Sequence, residues 1–210
     1  MGEELEIFDL NGNPLGAEDR KKFYSEIKAE FNTKGKISRQ VKTIRLILMN
    51  SSGRVYLQKR SKIKSENPGL YDKTIGGHVL KEDTFDMSVV RECAEELGFP
   101  ASVLSDKEFE RAKRVTDLSV VGVFRKVDEI SNFESVRIDE NGDKFIQPHI
   151  TAIYIGYYDG AIRFVDGESS GIEVFPLDEL KEEIKENPSK FTEDIKFIVK
   201  KYEKYLTPVF

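Results

Sequence analysis

Residues 77–99, GHVLKEDTFDMSVVRECAEELGF, are the part of this 210-residue chain that leaves the fewest choices for folding. Within them Met87, Val90, Cys93, Ala94 and Leu97 recur at spacings of three and four, so the pattern predicts a helix over residues 84–97, with Thr84 or Asp83 as its cap. Gly98 stands where such a helix would stop. On it Glu92, Glu95 and Glu96 fall at i, i+3 and i+4 and share a face. Like charges so placed destabilise a bare helix, and the arrangement asks for a compensating cation; a hard divalent ion such as Mg2+ prefers oxygen ligands of this kind.

Arg91, next to the cluster, carries five donors and can orient one carboxylate while the others bind metal. Gly76 and Gly77 bring no side chain, so backbone there can approach an ion or a phosphate closely. Metal, a carboxylate base and nearby donors are what cleavage of a diphosphate needs, namely neutralised phosphate charge and activated water. A solvated helix face is the plain alternative for adjacent glutamates. Against it stand the distant Gly77 and the glycine stop.

At these residues the chain resembles the Nudix hydrolase family, whose box reads G-x5-E-x7-R-E-U-x-E-E-x-G-U, with U a bulky apolar residue. Gly77, Arg91, Glu92, Glu95, Glu96 and Gly98 match without a gap. Asp83 stands at the first glutamate, one methylene short, while Cys93 and Phe99 take the two apolar positions. The resemblance implies an α/β fold of Nudix type, an α/β/α sandwich with a mixed sheet. It also implies Mg2+ or Mn2+ held by Glu92, Glu95 and Glu96 beside the Gly77 backbone, with Glu92, Glu95 and Arg91 as the catalytic set. The base would be one of these carboxylates, or a carboxylate or histidine from a later loop.

The stretch QKRSKIKSENPGLYDKTIGGHV resembles isopentenyl-diphosphate isomerases, a branch of the same superfamily, with Arg60, Lys64, Pro68, Gly69 and His78 in register. In that branch the Arg and Lys grip the substrate diphosphate, which makes Arg60 and Lys64, with Gly76 and His78, the expected substrate-binding residues. Two solvated basic side chains in a loop are the alternative for Arg60 and Lys64. The isomerase cysteine is replaced by Gly76, and the upstream metal-binding histidines are missing, because His78 and His149 are the only histidines in the chain. The later glutamates align with Gln147 and His149. A related fold without isomerase chemistry is the expectation; the isomerase and a catalytically silent nucleotide-binding module are the competing readings.

Elsewhere the pattern predicts a hairpin over residues 4–16, a helix over 17–31, and paired strands over 41–49 and 54–60. Strands are expected over 115–126, 145–158 and 161–166, turning at residues 140–143 and 159–160, and helices over 177–186 and 192–206. Strands covered by helices, many joined by hairpins, read as an α+β or mixed α/β sandwich. Residues 1–36 read as an N-terminal appendage packed on a domain of residues 37–210. A loop over residues 128–144 is the expected seat of substrate choice. Glu168 is a further candidate base or ligand, with a plain polar loop residue as the alternative.

A net charge of -5, with basic residues spread along the chain, argues against nucleic acid as partner. The acidic N-terminus lacks the charge and apolar core of a secretory signal, and no apolar stretch is long enough for a bilayer. The single cysteine, Cys93, suits a reducing, cytoplasmic setting and reads as core. The expected partner is a small-molecule diphosphate; a homodimer is left open.

Overall fold

The computed structural model describes residues 2–139, 141–163 and 169–210. Its spine is β3 (Arg39–Met49), RQVKTIRLILM, whose C-terminal part from Ile44 to Met49 is apolar but for Arg45 because both faces are covered. Ile44, Leu46 and Leu48 point to one core, and Ile47 and Met49 to the other. Along one edge β3 pairs in parallel with β9 (Lys144–Tyr157), from Val41 opposite His149 to Met49 opposite Tyr157. The other edge is taken in turn by β1 (Glu4–Asp9), β6 (Ile75–His78) and β4 (Val55–Arg60), all antiparallel.

β10 (Ser169–Phe175) extends the sheet beyond β4, which also pairs with the short β5 (Tyr71–Asp72), while β8 (Gly122–Ile138) and then β7 (Ala101–Val103) extend it beyond β9. One face is covered by α2 (Phe85–Glu96), which buries Val89 and Cys93 against Ile44, Leu46 and Phe124. The other carries α3 (Asp106–Val115), α4 (Leu177–Glu186) and α5 (Glu193–Tyr202), which supply Phe109, Leu180, Ile195 and Ile198. The result is the expected α/β/α sandwich on a mixed sheet. No helix among the described residues is long and apolar enough to cross a membrane.

The N-terminal hairpin of β1 and β2 (Pro14–Asp19) enters the sheet through β1, and α1 (Arg20–Lys34) closes over it with Phe23 and Ile27 buried against Leu5, Ile7 and Val41. This helix starts three residues later than the sequence suggests, because β2 stays paired as far as Asp19 opposite Glu4. Asp19 then caps it, accepting from the amides of Lys21 and Lys22, and Gly35 ends it with φ 69°.

Several expectations are corrected. The strand expected over 115–126 begins only at Gly122; before it lies α3, started by a capping box in which Ser105 and Glu108 satisfy each other. Residues 128–144 are no loop: they continue β8 to Ile138, paired with β9 through a tight turn in which Asp139 accepts from the amides of Asn141 and Asp143. Residues 161–163 form no strand, and the rest of that segment, with Glu168, lies outside the described residues. Helix α5 stops at Tyr202 and tightens into a 3-10 turn over Glu203–Tyr205. On α2, Met87 and Val90 face outward, 54% and 40% exposed. Ser88, Val89, Glu92 and Cys93 make its buried side.

Candidate active site

Helix α2 presents its glutamates to β6. Thr84 caps the helix by accepting from the amide of Met87 at 3.1 Å, and Gly98, with φ 73°, turns the chain away after the last turn. Gly77 lies on β6 opposite Ile44. A Cβ there would stand 2.5 Å from Glu92 Oε1, so only a glycine lets that carboxylate rest on the strand. Arg91 binds the assembly together: its Nη2 donates to the carbonyl of His78 at 3.1 Å, and its Nη1 stands 2.9 Å from Glu92 Oε1 and 3.4 Å from Glu95 Oε2. With Asp83, Arg91 thus stands against three carboxylates where the orientation of one was expected. Asp83, in spite of its shorter side chain, still forms an ion pair with Arg91 Nε at 3.5 Å.

Glu92 is nearly buried and Glu95 is 63% exposed at its side chain. Burial pushes the Glu92 carboxyl above its usual range, with Arg91 and a hydrogen bond from Glu96 opposing the rise and Glu95 adding to it. Among the described residues, no three His, Cys, Asp or Glu side chains form a finished metal cage. The donor set nevertheless fits a hard divalent cation: carboxylate oxygens on one helix face, beside a strand whose glycine leaves room for them.

His78 is held by a side chain that sequence reasoning missed. Tyr24 of α1 lies 2.6 Å from His78 Nε2, and Gln147 Nε2 donates to the Tyr24 hydroxyl at 3.0 Å. The Tyr24 hydroxyl therefore bridges Gln147 and the His78 ring. Burial, and then the positive charges of Arg20, Arg137, Arg45 and Arg91, push His78 down to about 3, so the ring is neutral. Nothing in the sequence around Tyr24 marks it as part of a site. His149 and Gln147 are both buried on β9; His149 Nδ1 stands 3.4 Å from Arg45 Nη2, and its Nε2 has no hydrogen-bond partner. The histidine is buried and only half satisfied.

Around Gly76–His78 three connected cavities meet. One of about 210 Å³ is bounded by Arg91, Glu92, Glu95 and Glu96. One of about 650 Å³ has Arg20, Tyr24 and Lys28 of α1 on one wall and Arg60 and Lys64 on another. Gly76 and His78 line both. The loop carrying Lys64 is fastened through Asn67, whose amide donates to the carbonyl of Ile138 at 2.7 Å and whose side chain accepts from the Ile138 amide at 3.0 Å. Arg60 donates from Nε and Nη2 to the carbonyl of Glu66, which ties that loop to the end of β4.

The third and smallest cavity borders a buried ion cluster. Arg45 interrupts the apolar run of β3 on the face that meets α5, where its Nε donates to Asp194 at 2.9 Å. Lys73 stands 3.0 Å from Asp72 and 3.5 Å from Asp194. Ser135 and Thr192 complete the two carboxylates' hydrogen bonds. The cations hold both carboxyls below their usual range in spite of burial. A charged residue inside an otherwise apolar strand is the sequence signal for this cluster. Cys93 is fully buried among α2's core contacts, with its thiol pushed up by burial.

A fold of this topology with a glutamate helix docked on a glycine strand defines a family, and comparison with known proteins agrees. The model of the NUDIX domain matches residues 39–195, and the chain belongs to that family. An isopentenyl-diphosphate Delta-isomerase of Serratia proteamaculans is 23% identical over 192 residues, covering 91% of this chain and 87% of that protein. An uncharacterized Nudix hydrolase of Pseudomonas aeruginosa is 33% identical over 98 residues, 47% of this chain, and the match spans 52% of that relative's length. The crystal structure of a Deinococcus radiodurans protein superposes with a TM-score of 0.63 at 19% identity, covering 94% of this chain and 98% of the other.

Proposed function

We propose that this chain is a divalent-metal-dependent hydrolase of the diphosphate linkage in a small phosphorylated metabolite, such as a nucleoside diphosphate derivative. The carrying observation is the docking of α2 on β6, where Arg91 gathers Glu92 and Glu95 over Gly77 at one end of a cleft lined by cations. Glu92, Glu95 and Glu96, beside the Gly77 backbone, would hold Mg2+ or Mn2+, which when bound neutralises phosphate charge and lowers the pKa of water. The general base would be one of these carboxylates, or a carboxylate or histidine from a later loop. Arg60, Lys64, Gly76 and neutral His78 would receive the diphosphate, and residues 1–36 would serve as an appendage walling the cleft of the main domain.

The isomerase reading is weaker. A cysteine at position 76 would place its Cβ 2.3 Å from Lys73 Cε, in the side chain that the buried carboxylates hold in place. A screen of diphosphate compounds, scoring released phosphate with Mg2+, with Mn2+ and after exhaustive chelation, tests the proposal. Metal-dependent release from at least one compound is expected; full turnover after chelation, or allylic isomerisation without phosphate release, would overturn it.

A further inference from the structure

The smallest cavity, about 70 Å³, is lined by Arg45, Arg60, Lys73 and Arg137, with Gly76 and His78 at its mouth. A single water needs roughly 10–15 Å³ of such space, so there is room for about five atoms of that size, enough for a phosphoryl group and far too little for a sugar or a base. Its lining carries those four cations and two carboxylates, Asp72 and Glu96, while Asp194 and Glu66, outside the lining, pair with Arg45, Lys73 and Arg137. The lining itself is positive.

Three of the cations are fixed before any ligand arrives; Arg60 donates from Nε and Nη2 to the carbonyl of Glu66. Arg45 Nη1 donates to Thr43 at 2.9 Å and to Thr151 at 2.5 Å while its Nε holds Asp194, and Lys73 sits between two buried carboxylates. Arg137 differs. Its Nε is buried without a hydrogen-bond partner, 3.9 Å from Glu66, although its side chain is only 16% exposed and borders the cavity. A buried donor left without an acceptor is costly, and an anionic oxygen in the cavity would supply one. Gly76 is needed at the mouth because any side chain there would meet Lys73. The cavity touches Glu96 on one side and opens toward the large cleft between Arg60 and Arg137 on the other.

We propose that this cavity is a subsite for a terminal phosphoryl group, so that the substrate is a diphosphate with one free end, such as a nucleoside diphosphate, and not one esterified at both ends. A terminal phosphoryl carries close to two negative charges and is small enough to enter; an internal phosphodiester carries one and drags a second substituent. The subsite depends on the hydrolase reading only for the chemistry after binding: water adds across the P–O–P bridge, its hydroxyl going to one phosphorus and its proton to the departing oxygen, giving a monophosphate ester and inorganic phosphate.

The test compares kcat/KM for ADP and for ADP-ribose in the wild type, Arg137→Met and Arg137→Lys with Mg2+, alongside metal-free titration with inorganic phosphate followed by thermal shift. The wild type should favour ADP by at least 10-fold, Arg137→Met should lose that preference through a slower reaction with ADP, and Arg137→Lys should recover part of it. Phosphate should raise the wild-type Tm by a few degrees and leave Arg137→Met unmoved. Equal or better use of ADP-ribose by the wild type, or equal losses on both substrates in Arg137→Met, would overturn the subsite. Arg137-dependent phosphate binding without hydrolysis of any diphosphate would support the subsite and overturn the hydrolase reading instead.

Discussion

Replacing Gly77 by alanine adds one methyl group at the point where the strand meets the glutamate helix. The backbone accepts it, since Gly77 lies in a regular strand and is not among the residues with positive φ. The space does not. The new Cβ would lie 2.5 Å from Glu92 Oε1, 2.6 Å from its Cδ and 2.9 Å from its Cγ. Ordinary contact begins near ~3.5 Å, so the carboxylate must withdraw by about 1 Å and leave Arg91. A shift of that size at reacting groups costs on the order of 100-fold in turnover. Stability should suffer far less: overpacking costs about 1–3 kcal/mol, removal of a strand glycine returns roughly 0.5–1 kcal/mol, and Glu92 can swing toward water. The net loss should be about 1 kcal/mol, a fall in Tm of roughly 2–4 °C for a chain of this size. The assay is paired: Tm in chelator and in Mg2+, and kcat/KM on the best diphosphate. A Gly77→Ala protein with wild-type kcat/KM and an undiminished Mg2+ shift would refute the role given to this contact.

Glu96→Gln keeps volume and removes charge, so most hydrolysis and the Mg2+-dependent gain in Tm should vanish while metal-free stability stays equal or rises slightly; retained turnover with retained Mg2+ stabilisation would return the helix to a solvated face. Arg60→Ala with Lys64→Ala should raise KM more than it lowers kcat, and unchanged kinetics in the double variant would place both outside substrate binding. Asp194→Ala strands Arg45 and Lys73 in the core and should cost about 3–5 kcal/mol in urea unfolding; an unmoved midpoint contradicts the pairing. His78 titrates near 3 in the folded chain against 6.5 as its ordinary value, so below pH 6.5 the unfolded chain takes up a proton that the native one refuses. Stability should be flat in this respect above pH 7 and fall below 6.5 by up to roughly 1.4 kcal/mol per pH unit, less where cleft water screens the ring. His78→Gln should flatten the Tm profile between pH 7.5 and 5.5, and an equally steep profile in that variant would assign the slope elsewhere.

The glutamate helix and the central strands are legible in the sequence because each is a local pattern with a long-range consequence. The spacing from Gly77 to Gly98 fixes which faces meet, and the apolar run of β3 requires cover on both sides. Helix α3 was obscured by its polarity: only Phe109 and Lys113 are buried, and the surer sign was the Ser105-x-x-Glu108 box at its start. Met87 and Val90 misled for the opposite reason, apolar residues at helical spacing that face outward. The cations of the small cavity could not be grouped from sequence at all, since Arg45, Arg60, Lys73 and Arg137 come from β3, β4, the turn before β6 and β8. Only the tertiary fold makes them neighbours.

The hairpin and helix at the N-terminus lie before residue 39, where the match to the domain begins, yet Tyr24 fastens His78 and Arg20 and Lys28 wall the larger cleft. One wall of the larger cleft is therefore built by a stretch of chain separate from the glutamate helix. Exchange of the first three dozen residues for another hairpin and helix would redraw that wall, within the limits set by β1, which pairs with β3 at Ile7–Asp9 and with the segment leading into the glutamate helix at Leu5–Leu80. In evolutionary terms the appendage would then be a mouthpiece on which selection can act to change what enters the cleft.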